Sequence, residues 1–296
     1  MTPAQLARTV LHAVRRAVES GQLGEFPESL ELPRRVVVES PPRRGGGDYA
    51  VSVAFQVAEA AGMAPYDVAL VLQDRLARQA GVRRVEIAGG AFLNVTLDER
   101  ARAALVAELS GAASGREPHI EEEDGQDEQA AADIARWSAA TGDAPASLTV
   151  RTTQSSPLFR VQYAHARTRA LSRNAHDLGF HSDAYAAAAA ADQDPDADPA
   201  SEEPPSSPYG AGARALLALL ADHRRICEQA GPARQARHLV AVGDAFFDFH
   251  DHCPPLPSGD EKPGAAHRAR LALVEATGAV LASGLSHLGV TAPAHL

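Results

Sequence analysis

The chain has 296 residues, 45% hydrophobic and only 5% aromatic, which suits two mainly helical domains better than a sandwich or barrel. Two cysteines, Cys227 and Cys253, exclude a disulfide framework. With neither an apolar leader nor a bilayer-length apolar run, a cytoplasmic protein with no membrane partner is expected. The formal charge of −10 stands against a polyanionic partner until its placement is considered.

In chain order, residues 3–20 predict an amphipathic helix. Leu6, Val10, Ala13, Val14 and Ala17 share one face, Pro3 suits the first turn, and Gly21 suits the stop. Arg35–Glu39 is a short β-branched run between Pro33 and Pro41 and predicts a strand. Two helices follow, 48–61 and 65–79, ended by Gly62 and Gly81. Strands at 82–88 and 91–97 flank a Gly89-Gly90 turn, and a helix capped by Asp98 runs to residue 109. Three strands and four helices make a small N-terminal α/β-sheet domain over residues 1–110.

Residues 111–156 read as an acidic linker holding one weak helix near 129–140 with the lone Trp137. Beyond Pro157 the pattern is all helical: 161–178, 184–191, 211–230, 232–251 and 265–288. A disordered acidic loop is expected at 192–208. The fold class is therefore α+β, with an all-α bundle over 157–296.

The acids are unevenly placed. Glu121, Glu122, Glu123, Asp124, Asp127, Glu128 and Asp133 form one run, and Asp192, Asp194, Asp196, Asp198, Glu202 and Glu203 another. With those 13 set aside the −10 becomes +3, so folded faces are free to be basic while the runs stay solvated. Lys262 is the only lysine, so arginine carries the positive charge.

On a helix, Tyr163 and Arg167 lie four residues apart on one face, with Arg160 a turn earlier and Arg169 and Arg173 nearby. An aromatic ring beside a guanidinium can stack an unpaired base and hold its phosphate. Spacing alone favours an ordinary half-buried tyrosine with a solvated arginine. Phe92, at the turn, can likewise be a base-stacking tip or a core strand residue, and Asn94 a base reader or a strand-end polar group. Arg43-Arg44-Gly45-Gly46-Gly47 lacks the ending of a phosphate loop, leaving two readings: a flexible basic loop that brushes an RNA backbone or, ahead of it, a mere flexible tip. His250-Asp251-His252-Cys253 carries metal-type ligands without zinc spacing, so no metal and no cofactor are expected.

The run Phe159-Arg160-Val161-Gln162-Tyr163-Ala164-His165-Ala166-Arg167 resembles the opening of the anticodon-binding helical domain of arginyl-tRNA synthetases. Phe246-Phe247-Asp248-Phe249-His250 with Cys253-Pro254-Pro255-Leu256, and the helix 268–289, resemble later parts of that domain, the last its DALR-type signature. Gly47-Asp48-Tyr49-Ala50 and Gly89-Gly90-Ala91-Phe92-Leu93-Asn94 resemble the family's N-terminal domain. The resemblance implies that Tyr163 and Arg167 contact the anticodon loop and that Phe92 and Asn94 touch the D-loop at the tRNA elbow. The sequence departs from the family at Phe159 and Arg160, where two tyrosines are usual, at Ser52, and in its last residues, Ala292-Pro293-Ala294-His295-Leu296.

The family's ATP motifs do not occur. His119-Ile120-Glu121-Glu122 lacks the glycine and second histidine of a His-Ile-Gly-His turn, and one lysine cannot supply a Lys-Met-Ser-Lys loop. The expectation is a non-catalytic protein that binds arginine tRNA and presents it to a partner enzyme. The alternatives are a regulatory paralogue that binds the genuine synthetase, and an enzyme using tRNA in another chemistry.

Overall fold

The structure, a computed structural model, describes residues 1–24, 33, 35–39, 41, 46–111, 126–191, 208–210 and 212–296. It divides into two compact units, Met1–Leu105 and Val106–Leu296.

The first unit begins with α1 (Pro3–Glu19), started by a capping box in which Thr2 Oγ1 accepts from the Gln5 amide while Gln5 accepts from the Thr2 amide. Four strands follow: β1 (Val38–Glu39), β2 (Tyr49–Val51), β3 (Val82–Ala88) and β4 (Phe92–Leu97). They form one antiparallel sheet in the order β1-β2-β4-β3. Helices α2 (Val53–Ala61) and α3 (Pro65–Ala77) connect β2 to β3 and pack with α1 on the sheet. The registers Tyr49↔Val95↔Val85 and Val51↔Leu93↔Ile87 place those side chains on one face of the sheet, which the pleat keeps together.

Residues 48–51 differ from expectation. The helix expected over 48–61 starts only at Val53, and Tyr49–Val51 form β2 instead. The Asp48 carboxylate accepts the Leu97 amide at 2.7 Å and the Arg102 guanidinium at 2.9 Å. A long-range partner with two charge-assisted or buried bonds outcompetes local helix propensity. Asp98 does act as expected, taking the Ala101 amide at 2.7 Å to start α4 (Glu99–Gly111).

The second unit is helical: α5 (Gln126–Thr141), α6 (Pro145–Leu148), α7 (Pro157–Asp177), α8 (Ala186–Ala191), α9 (Ala213–Gln229), α10 (Pro232–His252) and α11 (Ala265–His287). α11 is its axis, with Leu271, Ala272, Leu273 and Val274 all buried, so neighbours surround it. A Cβ at Gly278 would sit 2.5 Å from Thr168 Oγ1, so α7 and α11 approach at a spacing only glycine allows. Residues 126–156, read from the sequence as linker, are part of this unit. Trp137 is 1% exposed and donates to Asp143, while Asp133, counted above among solvated acids, is 3% exposed. The remaining acids of both runs, apart from Asp127 and Glu128 at the start of α5, lie outside the described residues.

Between α9 and α10 two histidine rings stack, His223 and His238, with centroids 5.6 Å apart. Burial, then the charge of His238 and of His287, pushes the His223 pKa down to about 4, and burial lowers that of His238 as well. His238 Nε2 is buried without a hydrogen-bond partner among the described residues.

Candidate nucleic-acid interface

Ser156 starts α7: its Oγ accepts the Phe159 amide at 3.2 Å, and Pro157 fills the first turn. From that start the helical period puts Phe159, Tyr163 and Arg167 in one column. The Phe159 and Tyr163 rings stack with centroids 5.9 Å apart and planes 13° from parallel. Phe247 of α10 extends the stack, 5.8 Å from Tyr163 at 28°. α10 comes this close because the facing residues are small: a Cβ at Gly243, one turn before Phe247, would meet the Ala164 methyl at 3.6 Å.

Tyr163 is 39% exposed, so this stack opens to solvent and is not sealed in the core. The Arg167 guanidinium is half-buried beside it, and no hydrogen bond or ion pair among the described residues engages it. The column therefore offers aromatic faces for a base and a cation for its phosphate.

Arg160 does not join them. Its Nε donates to the Thr153 carbonyl and its Nη1 pairs with Asp244 of α10 at 3.0 Å, a tie between α7 and α10. Arg173 is likewise engaged, donating to the Ala294 carbonyl at 3.4 Å.

In the first unit the hairpin turn carries positive φ at Gly89 (52°) and Gly90 (92°), conformations that a side chain rarely adopts. Phe92 follows, 39% exposed, its ring so near that a Cβ on Gly89 would lie 3.3 Å from it. Phe55 of α2 packs edge-on against it at 5.2 Å. Asn94 lies two residues along on the same side of β4, paired with Ala50 and Glu86, but is 4% exposed. Asn94, expected to present its amide to a base, is covered here as the middle of a central strand. Arg43 and Arg44 lie outside the described residues.

Sequence reasoning passed over Phe247 and Phe55 as surface aromatics. The signal for Phe247 was in the run 246–249: Phe246 and Phe249, three apart, share the buried face, which leaves Phe247 off it. Phe55 carried no comparable signal, because its partner Phe92 is far away in sequence. Among the described residues no group of three His, Cys, Asp or Glu side chains is arranged to hold a metal, and no helix is long and apolar enough to cross a membrane.

Residues 4–97 match the family described as the arginyl tRNA synthetase N terminal domain, and residues 161–296 match the DALR anticodon binding domain. The chain carries an arginyl-tRNA synthetase N-terminal domain and a DALR anticodon-binding domain. Tyr163, Arg167 and Phe247 thus lie within the DALR match, with Phe159 two residues before its start, and the Phe55–Phe92 pair lies within the N-terminal match. The chain is 45% identical to an arginine–tRNA ligase of Kineococcus radiotolerans over 118 residues, 39% of this chain and 21% of that protein. It is 39% identical to an arginine–tRNA ligase of Frankia alni over 156 residues, 51% of this chain and 25% of that protein. The chain therefore spans about a fifth to a quarter of the length of these relatives. Among solved structures, 68% of it aligns with 32% of Thermus thermophilus arginyl-tRNA synthetase, at 19% identity and a TM-score of 0.37. The two matched domains are both non-catalytic, and residues 98–160 separate them.

Proposed function

We propose that this protein binds tRNA, most specifically arginine tRNA, and presents it to a partner enzyme without itself activating arginine. The observation that carries this is the solvent-open column of Tyr163 and Phe247 with an unengaged Arg167 on a DALR anticodon-binding domain, extended by Phe159 just before it. Stacked aromatics hold single-stranded bases without needing a particular hydrogen-bonding edge, and a guanidinium supplies the phosphate contact. A second aromatic pair, Phe55 and Phe92, in the synthetase N-terminal domain supports contact with another part of the same folded RNA.

Non-catalytic action is supported by the lack of both ATP-binding motifs and by the short stretch between the two domains. A gel-shift series with arginine tRNA and several other tRNAs tests the reading. Retardation of arginine tRNA at lower protein concentration is expected, together with no arginine-dependent ATP–pyrophosphate exchange. Equal retardation of every tRNA, or none at low salt, rules out a dedicated carrier. Exchange above background rules out the non-catalytic assignment.

A further inference from the structure

The helices of the first unit carry two rows of charge that the Phe55–Phe92 pair does not use. α1 buries Leu6, Val10, Ala13, Val14 and Ala17, and the helical period puts Arg8, His12 and Arg15 on the opposite, exposed side. No hydrogen bond or ion pair among the described residues engages the Arg8 or Arg15 guanidinium. α3, which packs against α1, buries Val68, Ala69, Leu72 and Leu76. Its exposed side carries Asp67 and Asp74, with Tyr66 (53% exposed) and Leu70 (43%) beside them on consecutive turns. Among the described residues these are the only two large apolar side chains exposed one turn apart on a single helix.

Two long side chains fix which way α3 is turned. Gln73 donates to the Val85 carbonyl of β3, and Arg75, on the other side of the helix, donates to Ser20 and Gln22 just past α1. Asp67 and Asp74 fall on the Arg75 side of the Tyr66–Leu70 pair, so the acids lie toward α1. The rows match in pitch: Arg8 to Arg15 and Asp67 to Asp74 each span two helical turns, about 10 Å. The Asp67 carboxylate has no partner among the described residues, and the Asp74–Arg78 pair is exposed at both ends, so exchanging it costs little. A polyanion would suit α1 and be repelled by α3; a basic peptide would do the reverse. A ligand that covers both rows must carry both signs at the same spacing, and this chain itself does.

We propose that two copies of this chain pair through this face about a two-fold axis: Arg8 and Arg15 of each copy meet Asp67 and Asp74 of the other, and the contact covers Tyr66 and Leu70. A two-fold contact is self-complementary, so each row is used twice. The apolar pair supplies the attraction, while the guanidinium–carboxylate pairs set partner and register. Two helices per copy make a contact at the small end of specific interfaces, so a Kd on the order of tens of micromolar is expected.

The test is sedimentation of the 296-residue protein, without RNA, over a range of concentrations. At low salt the mass of wild type should rise from the 31.0 kDa of one chain toward twice that. It should fall back at roughly 0.5 M salt, where charges are screened within a few ångströms. Two charge-reversed proteins, Arg8→Glu with Arg15→Glu and Asp67→Arg with Asp74→Arg, should each pair at least about tenfold more weakly, because like charges then face each other. Mixed in equal amounts they should pair again, since each reversed row meets the other's. All four positions are exposed, so melting should stay close to wild type. Tyr66→Ala with Leu70→Ala changes no charge and should also weaken pairing, which keeps the test valid if a reversed protein fails to fold. A wild type that stays monomeric, pairing that ignores the reversals, or a mixture that stays monomeric would overturn the proposal. A monomeric wild type whose tRNA affinity falls on reversing Arg8 and Arg15 would make the α1 row an RNA contact instead.

Discussion

Tyr163 is a surface aromatic braced by two others, and its substitution should therefore separate affinity from stability. Tyr163→Ala removes one base stack, worth about 1–3 kcal/mol of binding. Its two ring contacts are worth about 0.5–1.5 kcal/mol each, so melting should fall by only a few degrees. A large melting shift with affinity intact would mean the column is scaffold. Arg167→Ala should weaken binding and flatten the plot of log affinity against log salt by about one phosphate, while Arg160→Ala should leave that slope alone because its charge is paired with Asp244. In the other domain the same logic divides neighbours. Phe92→Ala should cost affinity with little change in melting, and Asn94→Ala should cost melting temperature with little change in affinity, as their exposures of 39% and 4% require. The reverse pattern would return Asn94 to the list of RNA contacts.

At the scale of the helices, the contact of α9 with α10 is sensitive to acid. The stacked His223 and His238 face Asp222, Arg225 and Cys227 on α9 and His287 on α11. Burial holds the folded His223 pKa near 4, against about 6.5 in an unfolded chain. Between those values the unfolded chain binds more protons. Stability is therefore complete above about pH 6.5 and is lost as pH falls toward 4, with a contribution on the order of 3 kcal/mol from this one ring. Thermal melts at pH 7.5 and 5 should show the drop in wild type, and His223→Leu, which keeps comparable volume without a titrating ring, should show a clearly smaller one. An equal drop in both proteins would place the acid sensitivity elsewhere. Because α10 also carries Gly243, Asp244 and Phe247, loosening its contact with α9 would disturb the aromatic stack from behind.

For the whole molecule, the proposed tRNA binding sets a chain of charge −10 against a polyanion. Local contacts are short-ranged and specific, while the acidic runs act through a field that salt screens within about 10 Å at 0.1 M. Replacing the six acids between 192 and 203 by serine should therefore raise tRNA affinity several-fold at low salt. The gain should vanish by roughly 0.5 M salt, where the screening length is only a few ångströms. A gain that persists at high salt would show that the run competes for the site by direct contact. No gain at any salt would show that the folded faces alone govern approach.

Much of this protein was determined by local sequence. Periodicity gave the helices of both units, the Gly89-Gly90 pair gave the hairpin with Phe92 beside it, and four-residue spacing gave the Tyr163–Arg167 column. These are short-range properties: a helix repeats every 3.6 residues, and a turn needs only its own glycines. The tertiary structure decided whatever needed a distant partner. Tyr49–Val51 became a strand because β4 was there to pair with it, and Asp48 joined Leu97 and Arg102 in place of a helix turn. Asp133, one acid in an acidic run, became buried because Thr291, 158 residues away, supplies its donors. Arg160 and Arg167 look alike in sequence, yet Asp244 neutralises only the first. Helical spacing states which side chains share a face; only the packed neighbours determine which of them remain free to bind.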